Sequence, residues 1–241
     1  MIRVILWDID NTLLDFDVAE KTALTKEFEE FGLGVFTDEL LKQYMGINKA
    51  LWQKLERGEI TKPEVLVGRF EQFFGLNGIS TEIAADFDKR YQELLGETVC
   101  FHDNAYEIVK ELKGKVLQCA ASNGTKRAQT GKLRNSGLGE LFDLVFISED
   151  VGVEKPAKEF FDKALRDVED MLKEQDGGKK PLELSEVLMV GDSLTSDMKG
   201  ANNAGIMACW YNPKGIVNDK DVSIDYEIKD LHEIFELCTL V

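Results

Sequence analysis

The sequence predicts a doubly wound α/β fold, with a mostly parallel, Rossmann-like sheet and an all-helical cap domain inserted into it. Three observations carry this. Residues 2–7 form a short apolar run rich in β-branched and aromatic side chains, which reads as a buried strand, and it ends on two acids, Asp8 and Asp10. From residue 16 to about residue 95 the periodicity is helical and no strand signal interrupts it, so a helical module stands directly after the first strand. Beyond Asn104, short apolar runs alternate with amphipathic stretches, and that βα repetition builds a parallel sheet with helices on both faces.

A buried strand does not end on two carboxylates without a compensating cation. In an open parallel sheet the carboxyl ends of the strands are where ligands bind, which makes Asp8 and Asp10 chemically interesting; a lone Asp-x-Asp is also an ordinary strand end followed by a turn. The helical module is expected over 18–31, 39–57, 62–74 and 81–95, punctuated by Gly32, Gly34, Gly58, Gly75 and Gly78. Met45, Leu51, Trp52, Phe70, Phe73, Phe74 and Tyr91 are its expected core, Trp52 being the one with a competing role against substrate. Domain limits follow at 16–100 for the cap and at 1–15 with 101–241 for the core. Gly96, near the second crossing, is either a hinge or a helix C-cap.

In the second half, helices are expected over 105–113, 126–136, 158–172, 194–203 and 231–237, and strands over 115–121, 144–147, 186–190 and 206–211. The polar stretch 173–180 reads as a surface connection.

Composition narrows the function. The 241 residues are 44% hydrophobic with 14 Phe, enough for a sizeable core. Against 45 acidic residues stand 29 basic ones, and a net charge of −16 with no basic stripe argues against nucleic acid polymers and anionic membranes. A small anionic substrate remains possible where a metal and local cations reverse the field. With no long apolar h-region and no apolar stretch of about 18 residues, the expected location is cytoplasmic, without membrane contact. Cys100, Cys119, Cys209 and Cys238 are far apart, lack metal spacing and read as reduced, mostly buried thiols. A monomer or weak dimer is the expected assembly.

The later strands each run into something polar. The second ends in Ser122-Asn123-Gly124, a hydroxyl and a turn of backbone N–H groups before a helix, which suits an anionic oxygen. After the third comes Lys155-Pro156, with Pro156 placed to open a helix and Lys155 just outside it. Taken singly, both are ordinary loop signals. The fourth runs into Gly191-Asp192-Ser193, with Asp197 on the first turn of the next helix. Four acids, Asp8, Asp10, Asp192 and Asp197, are thus expected to converge with Lys155 and Ser122. Like charges so close require a cation, and hard oxygen donors select Mg²⁺.

In order and spacing, Asp8-Ile9-Asp10-Asn11-Thr12, Ser122-Asn123, Lys155-Pro156 and Gly191-Asp192-Ser193 with Asp197 resemble the four signature motifs of the haloacid dehalogenase-like hydrolase superfamily. The helical module falls where that superfamily inserts its cap. The resemblance implies Asp8 as the nucleophile that forms an aspartyl-phosphate, and Asp10 as the acid and then base. It implies Mg²⁺ held by the Asp8 carboxylate, the Asp10 backbone carbonyl and the Asp192 carboxylate. Ser122 and the Asn123 backbone N–H would bind the phosphoryl oxygens, Lys155 would neutralise charge, and Asp197 would orient Lys155 or a metal-bound water. Asp10 separates the phosphatases from the dehalogenase branch, which lacks an aspartate there.

Residues 50–61 and 68–70 of the cap, with Cys209-Trp210-Tyr211-Asn212-Pro213, resemble bacterial noncanonical pyrimidine 5′-nucleotidases. The expected substrate is therefore a small phosphate monoester, first of all a pyrimidine nucleoside 5′-monophosphate, selected by the cap and by Leu14 and Phe16. A phosphosugar or phosphoglycolate phosphatase is the alternative within the class, and an inactive metabolite- or protein-binding member the alternative outside it.

Overall fold

The computed structural model describes residues 1–176 and 180–239. Its sheet has six strands: β1 (Val4–Trp7), β2 (Leu117–Ser122), β3 (Leu144–Ile147), β4 (Val187–Gly191), β5 (Met207–Tyr211) and β6 (Tyr226–Ile228), in spatial order β3-β2-β1-β4-β5-β6. Every neighbouring pair is parallel. The order reverses about β1, so the crevice at the switch point opens beside the carboxyl ends of β1, β2 and β4. The sixth strand lies outside the five that hydropathy marks. Its two apolar residues, Tyr226 and Ile228, alternate with Asp225, Glu227 and Lys229, and as an edge strand it buries too little to leave an apolar run.

The central strands β1, β4 and β5 are apolar throughout apart from Gly191 because both faces of the sheet are covered there. Ile5 and Trp7 of β1 join Leu188 and Val190 of β4 in one core layer. Val4, Leu6, Val187 and Met189 point into the other. Helices α1 (Phe16–Glu30), α2 (Asp38–Glu56), α3 (Lys62–Leu76) and α4 (Ala84–Glu97) form the cap. The remaining helices are α5 (Ala105–Leu112), α6 (Lys126–Ser136), α7 (Ser148–Val151), α8 (Lys158–Asp176), α9 (Lys199–Ala204) and α10 (Ile234–Thr239). Residues of α5 and α10 pack on the first layer, those of α8 and α9 on the second.

The cap has its own core, in which Phe28, Tyr44, Phe70, Phe73, Phe74, Phe87 and Tyr91 are buried. Caps set its helix starts: the Asp15 carboxylate accepts from Val18 N–H, Thr37 accepts from Leu40 N–H, and Thr61 with Glu64 forms a capping box. Met45 departs from the expected core and is 37% exposed, while Trp52 is half-buried and faces the cavity described below. The two cap connections run side by side, with Asp15 N–H donating to Cys100 O at 2.8 Å and His102 N–H to Leu13 O at 3.0 Å.

Other boundaries differ for identifiable reasons. Gly96 is neither C-cap nor chain break; it lies inside α4, where a Cβ would sit 3.1 Å from Gly131 Cα of α6, so the pair permits a close helix crossing between cap and core. Pro156 precedes α8 by two residues, in a turn whose Lys155–Pro156 bond is cis. The expected helix 194–203 opens as a π-helical turn, Leu194–Met198, before α9. The last helix likewise begins with a 3₁₀ turn, Leu231–Glu233. α8 reaches Asp176 and takes in the first part of the polar stretch, whereas Gly177 and Gly178 of that connection lie outside the described residues.

Candidate active site at the strand ends

β1 delivers Asp8 into the crevice, and two groups fix its carboxylate. Lys155 Nζ donates to one oxygen at 2.7 Å, and Thr12 Oγ1 donates to the other at 3.2 Å. Thr12, fully buried, also accepts from Asp192 N–H at 3.1 Å and so ties the ends of β1 and β4 together. Lys155, 1% exposed, uses its ammonium three ways: on Asp8, on Ala121 O at 2.6 Å and on Asp197 Oδ1 at 2.6 Å. Its turn is bolted to the loop after β2, because the Asn123 side chain accepts from Lys155 N–H and donates to Lys155 O, each at 2.8 Å.

Asp197 is buried and fully engaged, its second oxygen accepting from Ser193 N–H at 3.1 Å. That placement needs Gly191, since a Cβ there would lie 2.3 Å from Asp197 Oδ2. Ser122, at the end of β2, accepts from Gly124 N–H at 3.0 Å and lines the cavity with Asn123.

The electrostatics follow from burial. Burial pushes the Asp8 carboxyl up to about 7 against the pull of Lys155, with the charges of Asp197 and Asp10 adding to the rise. Burial also raises Asp192 well above the ordinary carboxylate range, and Asp8 and Asp197 add to it. Lys155 stays charged: burial disfavours its ammonium, but Asp197 and Asp8 outweigh that and raise it.

Carboxylate oxygens of Asp8, Asp192 and Asp197 lie within 4.8 Å of one another. Among the described residues no lysine or arginine forms an ion pair with Asp192, while Lys155 occupies Asp197. This donor set fits a hard divalent cation: Asp192 carries no ion pair, and the Asp8 oxygen that accepts only from the Thr12 hydroxyl keeps lone-pair capacity for a further ligand. All four expected acids line one cavity with Ser122 and Lys155, and three of them form this tight cluster. The Asp10 carboxylate is drawn to α6 instead, where Lys132 forms an ion pair with one oxygen and Gln129 Nε2 donates to the other at 2.7 Å.

Gln129 and Lys132 escape sequence reasoning, as does the bridging role of Thr12. The available signal is a polar pair on the buried stripe of α6 (Ala128, Gln129, Lys132, Leu133, Ser136), where apolar residues belong.

Above these groups lies a cavity of about 240 Å³, walled on the cap side by Phe16, Asn48, Trp52, Glu56, Arg69, Gln92 and Leu95. Of the two residues expected to follow Asp10 into the substrate site, Phe16 lines this cavity; Leu14 is buried in the first core layer. Arg69 is held by Asp88 at 2.6 Å and donates to the Asn48 amide oxygen at 3.2 Å, which keeps this wall rigid. All four cysteines are unpaired, two of them buried. No helix among the described residues is long and apolar enough to cross a membrane.

The profile of the haloacid dehalogenase-like hydrolases matches residues 5–211, and the chain belongs to that family. Within it the protein is a phosphoric monoester hydrolase. Over 238 residues it is 34% identical to the pyrimidine 5′-nucleotidase PynA of Streptococcus pneumoniae, covering 97% of this chain and 94% of that one. Pyrimidine 5′-nucleotidase YjjG of Escherichia coli is 31% identical over 233 residues, covering 97% and 96%. A crystal structure of the HAD-hydrolase YfnB from Bacillus subtilis, bound to magnesium and said to reveal interdomain movement, aligns with a TM-score of 0.84 at 32% identity, covering 98% of each chain.

Proposed function

We propose that this protein is a Mg²⁺-dependent phosphatase that hydrolyses pyrimidine nucleoside 5′-monophosphates in the cytoplasm, with catalytic groups on a core of residues 1–15 and 101–241 and selectivity in a cap of residues 16–100. The observation that carries this reading is a single cavity: its floor holds a carboxylate oriented by Lys155 and Thr12, and its walls hold the flat rings of Phe16 and Trp52 beside the amides of Asn48 and Gln92. Aromatic faces and a few amides suit a planar base, whereas a polyol would call for more hydrogen-bonding groups. The likeness to two pyrimidine 5′-nucleotidases supports the same substrate class.

In the first step an oxygen of Asp8 attacks phosphorus while the bond to the leaving oxygen breaks, and Asp10 gives that oxygen a proton. In the second, Asp10 takes a proton from the water that attacks the phosphoryl group, releasing phosphate and restoring Asp8. The Ser122 hydroxyl and Asn123 backbone N–H bind phosphoryl oxygens, and Lys155, held by Asp197, balances the charge on Asp8 and the phosphate. The Asp8 and Asp192 carboxylates and the Asp10 carbonyl would hold a Mg²⁺, which would supply further charge neutralisation when bound.

Ranking phosphate esters by kcat/KM tests the assignment, using dUMP, dTMP, UMP, AMP, phosphoglycolate and several sugar phosphates. Pyrimidine nucleotides are expected to lead. A tenfold lead for phosphoglycolate or a sugar phosphate, roughly 1.4 kcal/mol of transition-state binding, transfers the assignment to that class. No turnover of any ester makes the protein a binding member of the family.

A further inference from the structure

Gln129 and Lys132 stand one turn apart on α6, 1% and 2% exposed, and both reach the Asp10 carboxylate. Burying an ammonium is costly unless it is paired, and Lys132 has two partners: the Asp10 carboxylate and the face of the Phe16 ring, whose centre is 4.9 Å from Nζ. Gln129 is wedged equally firmly. A Cβ at position 124 would fall 2.1 Å from its Nε2, so only glycine in the loop after Ser122 leaves room for the amide. Its Oε1 is buried without a hydrogen-bond partner among the described residues, so the contact with Asp10 is the one polar side-chain bond that this amide makes among them. Each oxygen of Asp10 therefore receives one donor, from two side chains anchored on a rigid helix, with the first residue of the cap covering one of them.

We propose that Lys132 and Gln129 are positioning residues for proton transfer by Asp10, setting the orientation of its carboxylate toward the leaving-group oxygen and leaving the phosphoryl site untouched. This rests on the reading of Asp10 as the acid in aspartyl-phosphate formation. In that step the P–O bond to the leaving group breaks, the Asp8–phosphorus bond forms, and the proton on Asp10 passes to the departing oxygen. Lys132 and Gln129 exchange no atom; they fix where the carboxyl stands.

A poor leaving group, such as a nucleoside 5′-alkoxide, needs that proton, whereas p-nitrophenolate leaves without it. The ratio kcat/KM, which ends at leaving-group departure, thus separates positioning from folding or phosphate binding. Lys132→Met is expected to lower kcat/KM for dUMP at least tenfold while changing that for p-nitrophenyl phosphate less than threefold. Gln129→Leu should act in the same direction and serves if Lys132→Met does not fold. Asp10→Asn is the reference and should show the same split more strongly. If Asp10→Asn shows no split, the acid role of Asp10 falls and this proposal with it. If Asp10→Asn shows the split but the α6 variants match the wild type, or lose both substrates equally, the proposal alone is overturned.

Discussion

Asp8 is held from two sides, and the consequences are local. Lys155 and Thr12 each take one of its oxygens, so the carboxylate is already aimed, and in the proposed mechanism little reorganisation would remain at the moment of attack. Asparagine at this position keeps the shape and the bond to Lys155 through its carbonyl, but it removes the charge and the nucleophilic oxygen. Asp8→Asn is expected to lower phosphatase turnover by about a hundredfold or more, read as phosphate release at saturating substrate. Wild-type turnover in that variant would remove the covalent route. Thr12 shows how one hydroxyl serves two strand ends, donating to the Asp8 carboxylate at one and accepting from the Asp192 backbone at the other.

Among the elements, α1 is the least consistent. Its buried face carries Ala19, Ala23, Leu24 and Phe28 as a cap helix should, but also Glu20 and Glu27. Glu20 is satisfied by Asn48 and the Tyr91 hydroxyl, each at 3.1 Å. Glu27 has no hydrogen-bond partner for either oxygen among the described residues, and burial, with Asp88 and Glu30 adding, raises it from 4.5 to about 9. The folded cap therefore keeps a proton that the unfolded chain releases. The contribution of Glu27 to stability is full below pH 4.5 and is lost as pH rises through about 9. Glu27→Leu should flatten the decline in melting temperature across that window and raise it near pH 8 by about 2 °C or more. A melting curve with unchanged pH dependence would contradict this.

On the scale of the whole molecule, cap and core meet at two unlike contacts. At one, α4 and α6 cross where Gly96 and Gly131 face each other, beside the two chain connections, which suits a pivot. At the other, Lys62 of α3 reaches into the core and donates to Ser148 Oγ at 2.6 Å and Asn123 O at 3.0 Å, with Glu154 at 3.4 Å. A positive charge at a helix N-terminus is unfavourable for the helix itself, so the core contacts explain Lys62 where helix propensity does not. It joins the cap to both the loop after β2 and the Lys155 turn, and a cap that opens must release it. Lys62→Met should weaken the closed form by about 1.5 kcal/mol, roughly tenfold in the closed-to-open ratio, seen as a larger radius of gyration by solution scattering of the free enzyme and reversed by a phosphate analogue. An unchanged radius with and without the analogue would count against a moving cap.

What the chain determined by itself was whatever is written in periodicity and in contiguous motif. Apolar runs at β1, β2, β3, β4 and β5 mark strands because both faces of each are covered, and helical spacing over 16–95 marks the cap because its stripe must bury. Asp8, Ser122 and Asp192 were legible because each lies at or just beyond a strand end, where an interrupted apolar run exposes the polar residue that follows, whereas Lys155, beyond α7, and Asp197, in the helical turn after β4, were legible only through the joint spacing of the motifs. Strand β6 was not legible, since an edge strand of three residues needs no such run. Only the tertiary structure decided that Asp10 turns to Gln129 and Lys132, that Gly96 is there for Gly131, and that Lys62 holds the cap to the core. Each of these joins residues distant in the chain through one side-chain contact, and no local spacing records which partner the folded chain will bring into reach.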